Sequence, residues 1–194
     1  HIQLLESGDP SPLSTVEEHY NPTVTTLASM PKPVVAAVNG VAAGAGASLA
    51  FACDFRVVAD TAGFNLAFSG VALSCDTGAS WTLPRLVGRE KALELMYFPR
   101  TVPAEEAREL GLATKVVPAA DLEAEVAALA GRLAAGPTVS FGSIRRSVHH
   151  SAGHDFETSV AFEAEMMALT GQTEDHRNAI AAFVAKEKPT FRGR

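Results

Sequence analysis

The chain has 194 residues, 47% hydrophobic and 20% charged, with a net charge of −6, which allows one full core and argues against a nucleic-acid partner. Two cysteines, Cys53 and Cys75, do not make a disulfide framework and fit a reducing, cytoplasmic setting. No apolar run reaches the roughly 18 residues of a membrane span.

In chain order, Ser14 to Ala28 reads as a helix opened by Ser14 with Glu17 three residues on, and Pro22 predicts a kink in it. Val34 to Val38 is a short apolar run ended by Asn39-Gly40, the pattern of a buried strand. Gly44 to Cys53 reads as helical, "FRVVA" (55–59) as the next strand, and "AGFNLAF" (62–68) as a further strand candidate. From Ser80 the pattern turns helical. "REKALELMYF" is amphipathic, and "PAEEARELG" has Pro103 in its first turn and Gly111 as its stop. "TKVVP" is a short strand. Asp121 to Ala135, Thr138 to His150, Asp155 to Leu169 and Glu174 to Lys186 then read as four helices. Strands alternating with helices, then helices only, predict an α/β core over residues 1–135 and a helical region over 136–194.

Two stretches carry possible chemistry. The first, "VNGVAAGAGASLAFACDF", is nearly free of large side chains between Asn39 and Cys53. Small residues are used where a backbone must come close to something else. A glycine-rich turn leading from strand to helix presents unpaired N–H groups at the positive end of the helix dipole, where a phosphate or a developing oxyanion can sit. The alternative is tight helix packing through small faces. A nucleotide site fits poorly, because no Lys-Ser/Thr ends the turn and the spacing is not Gly-x-Gly-x-x-Gly. The second stretch, "FSGVALSCDTGASWTLPRLVG", holds Asp76 without a Lys or Arg close in sequence. Asp76 reads either as an acid/base group or as the cap of the helix that follows.

Taken together, "KPVVAAVNGVAAGAGASLAFACDFRVVA", "AFSGVALSCDTGASWTLPRLVG", "ARELGLATKVV" and the terminal "AFVAKEKPTFRGR" resemble, in order, the enoyl-CoA hydratase/isomerase (crotonase) superfamily. The resemblance implies an α/β fold of repeated strand-strand-helix turns, the crotonase (ClpP-like) spiral. It also implies C-terminal helices that build a trimer or a dimer of trimers, an acyl-CoA thioester substrate, and neither metal nor separate cofactor. In the family pattern, the middle residue of the Gly-x-Gly turn donates one of two oxyanion N–H groups. Here that is Ala45, between Gly44 and Gly46. The other donor precedes residue 1, and His1–Pro10 resembles the stretch just after it.

Hydratases of this family resemble one another in two glutamates that hold and activate water. Their positions fall here on Ser48 and Phe68, and neither is acidic. Asp76 instead matches the single carboxylate of the isomerase branches, of the epoxyphenylacetyl-CoA isomerase and Δ3,Δ2-enoyl-CoA isomerase type. The resemblance thus implies a proton shuttle, with Ala45 and Asp76 catalytic. Gly44, Gly46, Ser48, Phe68 and Trp81 would line the acyl site, and Phe183 and Lys186 would meet the CoA moiety. Two departures from the family's usual residues are Cys75 for Pro and Ala79 for a second Gly.

Four other features read as bland. Ser48 sits in no Gly-x-Ser-x-Gly elbow and is not a nucleophile. His149, His150 and His154 read as a solvated helix end rather than metal ligands. Arg145-Arg146 reads as a solvated helix face. Met166 and Met167 read as core or oligomer contacts.

Overall fold

A computed structural model describes residues 13–194; the stretch His1–Pro10 lies outside the described residues. Two compact units divide the described chain: 13–28 with Val35–Val126, and Ser29–Val34 with Ala127–Arg194.

In the first unit, helical turns at Leu13–Thr15 and Val16–Tyr20 lead into α1 (Asn21–Ser29). Ser14 lies inside the first of these turns and does not cap it. The predicted kink at Pro22 takes the form of a widened, π-type turn over Val16–Tyr20, in which the Asn21 N–H reaches back five residues to the Val16 carbonyl. The cause is local: proline has no N–H to donate, and its ring crowds the carbonyl four residues earlier. The Thr23 hydroxyl gives the His19 carbonyl a donor at 2.7 Å.

β1 (Val35–Val38), β3 (Phe55–Ala59) and β6 (Lys115–Val117) form one parallel sheet in the order β1-β3-β6. β2 (Val41–Ala43), β4 (Gly63–Asn65) and β5 (Val102–Pro103) form a second, with β2 parallel to β4 and β4 antiparallel to β5. Consecutive strands therefore split between the sheets, β1 and β3 to one, β2 and β4 to the other. After each pair comes a helix, α2 (Ala45–Phe51) and α3 (Ala79–Val87). These are the strand-strand-helix repeats that the resemblance implies. β3 is apolar throughout except for Arg56, which befits a strand paired on both sides and covered.

Arg56 is itself buried, its Nε donating to the Leu112 carbonyl at 2.6 Å and its Nη1 to the Cys53 carbonyl at 2.8 Å. Burial pulls this guanidinium below its ordinary pKa, against the opposing pull of Cys53 and Asp54. Phe64, Leu66, Leu83, Leu95 and Leu112 fill the core, and the rings of Phe51 on α2 and Phe64 on β4 lie 5.0 Å apart. α2 packs against α3, and α3 against α4 (Arg89–Tyr97). α5 (Ala104–Glu109) starts one residue after Pro103, which stands at the cap position in extended conformation rather than in the first turn, and Gly111 at φ 79° follows as the predicted stop.

α6 (Leu122–Ala134) leads into the second unit, where α7 (Thr138–Ser151) packs against α8 (Phe156–Gly171) and α8 against α9 (Glu174–Ala185). Asp155 caps α8, accepting the Thr158 N–H at 2.8 Å, and this bond holds its carboxyl below the usual range. Arg145 corrects the expected solvated face: it is buried, with Nη1 donating to the Met30 carbonyl at 3.0 Å, while Arg146 is exposed. The reason is close approach. A Cβ on Gly142, three residues before Arg145, would lie 2.3 Å from the Pro31 carbonyl oxygen. Gly142→Ala should therefore cost about 2–3 kcal/mol through overpacking against backbone. Thermal unfolding should read this as a melting temperature lower by roughly 4–12 °C; an unchanged melting temperature would show that the two segments separate freely.

Candidate active site

The glycine turn is built by three neighbours. Gly44 has φ 52° and ψ −121°, a conformation that suits glycine, and its N–H donates to the Asn65 carbonyl at 2.9 Å, tying the turn to the end of β4. The Gly44 carbonyl accepts from the Ser48 N–H at 3.1 Å and from the Ser48 hydroxyl at 3.2 Å. Ser48 is fully buried, so it braces the turn from inside. Phe68 is buried too, and its Cε1 would stand 3.7 Å from a Cβ on Gly44. Ala45 is the first residue of α2, a position whose N–H has no acceptor within the helix. Gly44, Ala45, Gly46, Ser48 and Phe68 are thus brought together, with a hydroxyl and an apolar ring at the two positions where the resemblance puts the hydratases' glutamates.

Asp76 precedes α3, the helix that packs on α2. It does not cap α3: the residue at the cap position is Gly78, and no side chain bonds there. The Asp76 carbonyl accepts the Ala79 N–H at 3.0 Å, closing a four-residue turn, and the carboxylate Oδ1 accepts the Thr77 hydroxyl at 2.8 Å. Asp76 and Cys75 are both half-buried. Trp81 is 42% exposed, with the Arg85 guanidinium carbon 4.0 Å above its ring. A hollow of about 320 Å³ touches the glycine turn at Gly46, with Ala36 to Ala42 along its wall; neither Ala45 nor Asp76 lines it.

Phe183 and Lys186 belong to the second unit, at the end of α9. Phe183 is 84% exposed, and Lys186 follows the helix in a left-handed conformation, φ 57°. His150 stacks face to face on His154 at 3.8 Å and on Phe162 at 4.1 Å, so the expected solvated helix end is partly a ring stack. Among the described residues, no group of three His, Cys, Asp or Glu could hold a metal ion, and no helix is long and apolar enough to cross a membrane.

Two contributors escape the sequence reading: Asn65, whose carbonyl anchors the turn, and Thr77, whose hydroxyl meets Asp76. The Asp-Thr-Gly order signals a turn, but a β-branched residue within it gives no hint of the conformation that Thr77 adopts.

Known proteins are similar to this chain in architecture and in sequence. A protein named 1,2-epoxyphenylacetyl-CoA isomerase, from Escherichia coli (strain K12), is 40% identical over 180 residues, covering 93% of this chain and 69% of its own length. A Rhodobacter capsulatus protein named "Probable enoyl-CoA hydratase" is 39% identical over 181 residues, covering 93% of this chain and 70% of its own length. The crystal structure of a Mycobacterium abscessus protein named "putative Enoyl-CoA hydratase/isomerase" superposes with a TM-score of 0.94 at 36% identity, covering all of this chain and 75% of that one. The fold is therefore that of the crotonase superfamily. The profile of the enoyl-CoA hydratase/isomerase family matches residues 3–194, and the chain belongs to that family.

Proposed function

We propose that the protein isomerises unsaturated acyl-CoA thioesters, with Asp76 as the single proton carrier. The thioester oxygen accepts the Ala45 N–H together with the second donor of the family pattern. Asp76 takes a proton from a carbon next to the thioester or conjugated with it. The C–H electron pair moves into the enolate, whose negative charge rests on the held oxygen. Return of the same proton to another carbon shifts the double bond, and nothing else is consumed. A ring-epoxide substrate of the kind named for the Escherichia coli relative fits the same enolate chemistry.

One observation carries this reading. Water addition needs one group to take a proton and another to deliver one, and the residues at the two glutamate positions are a buried serine bonded to Gly44 and a buried phenylalanine. The hydratase name of the Rhodobacter relative supports the rival reading. Assaying the full-length protein separates them: 3-enoyl-CoA should be converted to 2-enoyl-CoA, while 2-enoyl-CoA should gain water at most slowly. Rapid hydration of 2-enoyl-CoA would overturn the proposal. A member that binds acyl-CoA and turns over neither substrate is the third outcome, and it also counts against isomerase activity.

The exposed Phe183 and Lys186 support a CoA contact at the end of α9. The exposed apolar side chains Ile144, Val148 and Met167 on α7 and α8 support a trimer or dimer of trimers.

A further inference from the structure

We infer that Thr77 is a positioning residue for Asp76. Its hydroxyl holds the carboxylate by Oδ1, so that Oδ2 is the oxygen that takes and returns the proton. This rests on the isomerase reading of Asp76 given above.

Three observations converge. Thr77 has φ 53° and is followed by Gly78 at φ 82°, so both central residues of the turn from Asp76 to Ala79 are left-handed. Glycine, asparagine and aspartate suit such positions; a β-branched residue there is an outlier. Second, Thr77 is 2% exposed and is among the most buried polar residues described. Third, its Oγ1 donates to Asp76 Oδ1 at 2.8 Å. An unfavourable backbone conformation persists where its surroundings over-determine it, and such positions cluster at working sites. Glycine would relax this turn but would bring no hydroxyl.

The hydroxyl has a mechanical consequence. A free aspartate rotates about two side-chain bonds and presents either oxygen. With Oδ1 held, rotation is arrested, and no other hydrogen bond from the described residues reaches the carboxylate. When the substrate C–H breaks, the proton goes to Oδ2 and the electron pair to the enolate. Oδ1 becomes the carbonyl oxygen of the neutral acid and still accepts from Thr77. The proton therefore stays on the oxygen facing the substrate until it is delivered.

The test is steady-state kinetics of the full-length protein on 3-enoyl-CoA with Thr77→Val, Thr77→Gly and Thr77→Ser. Loss of a hydrogen bond to a charged group should lower kcat by about 10- to 100-fold in the Val and Gly variants. KM should change little, because binding does not use Oδ1. Thr77→Ser, which keeps the hydroxyl, should stay close to the wild-type kcat. Thr77→Gly removes the left-handed penalty, so it decides the matter if Thr77→Val fails to fold. Wild-type turnover in the Gly or Val variant, or a Ser variant as slow as Val, overturns the role of Thr77. If that turnover appears beside an inactive Asp76→Asn, only Thr77 is misread; if Asp76→Asn is also fully active, the reading of Asp76 falls as well.

Discussion

Replacing Asp76 by Asn should lower kcat on 3-enoyl-CoA by about 10²- to 10⁴-fold, the usual worth of a general acid/base group. The amide has nearly the same shape and can still accept from the Thr77 hydroxyl, so the turn should keep its form. What it loses is a group that can take a proton and give it back. KM and the affinity for an unreactive acyl-CoA should therefore stay close to wild type, since the lost interaction belongs to the transition state alone. Steady-state kinetics combined with titration of a saturated acyl-CoA reads both quantities. A variant that binds normally and turns over normally would reduce Asp76 to a turn residue. One that neither binds nor melts like the wild type would show a structural part instead.

Ala45→Pro should remove a single N–H and little else. Ala45 is the first residue of α2, and proline is well accepted there because its fixed φ suits a helix start and its missing N–H has no intrahelical partner. The melting temperature and far-UV spectrum should therefore hold, while kcat falls by about 10²- to 10³-fold, the loss seen when one oxyanion donor is removed. Ala45→Gly, which keeps the N–H, should remain active. Full activity in the proline variant would mean that the thioester oxygen is held elsewhere. In the proposed reaction the two variants probe opposite ends: Asp76 would act on the proton, Ala45 on the charge that forms when it leaves.

Local signals fixed much of the fold. Asn39-Gly40 ends β1, the five residues of "FRVVA" are β3 residue for residue, and Asp155 caps α8. These depend on neighbours within a few positions. β2 stayed hidden, because Val41–Ala43 carries no alternation and merges into the small residues of the turn. The division of consecutive strands between two sheets depends on partners such as Val35 and Phe55, 20 positions apart, which no local pattern encodes. Ser14 misled for a different reason: its spacing to Glu17 fits a capping box, but the helical turn already includes Leu13.

The site was legible in part. The small residues from Gly44 to Ser48 announced a close backbone approach, and the structure shows Gly44 against Phe68 with Ser48 folded back on its carbonyl. For Asp76, the local sequence favoured a helix cap over an acid/base group, and the capless Gly78 removes the cap. Thr77 was invisible because its importance lies in a backbone angle that its side chain disfavours.

β1 and β2 each stand last in their sheet among the described residues, β1 paired only with β3 and β2 only with β4. The hollow of about 320 Å³ runs beside both. Among the described residues, that border is a double row of peptide groups ready to recruit a foreign strand. Precipitation would then grow through main-chain pairing, and recharging the helices would not cure it. A lysine in place of the exposed Val41 would act at the border itself.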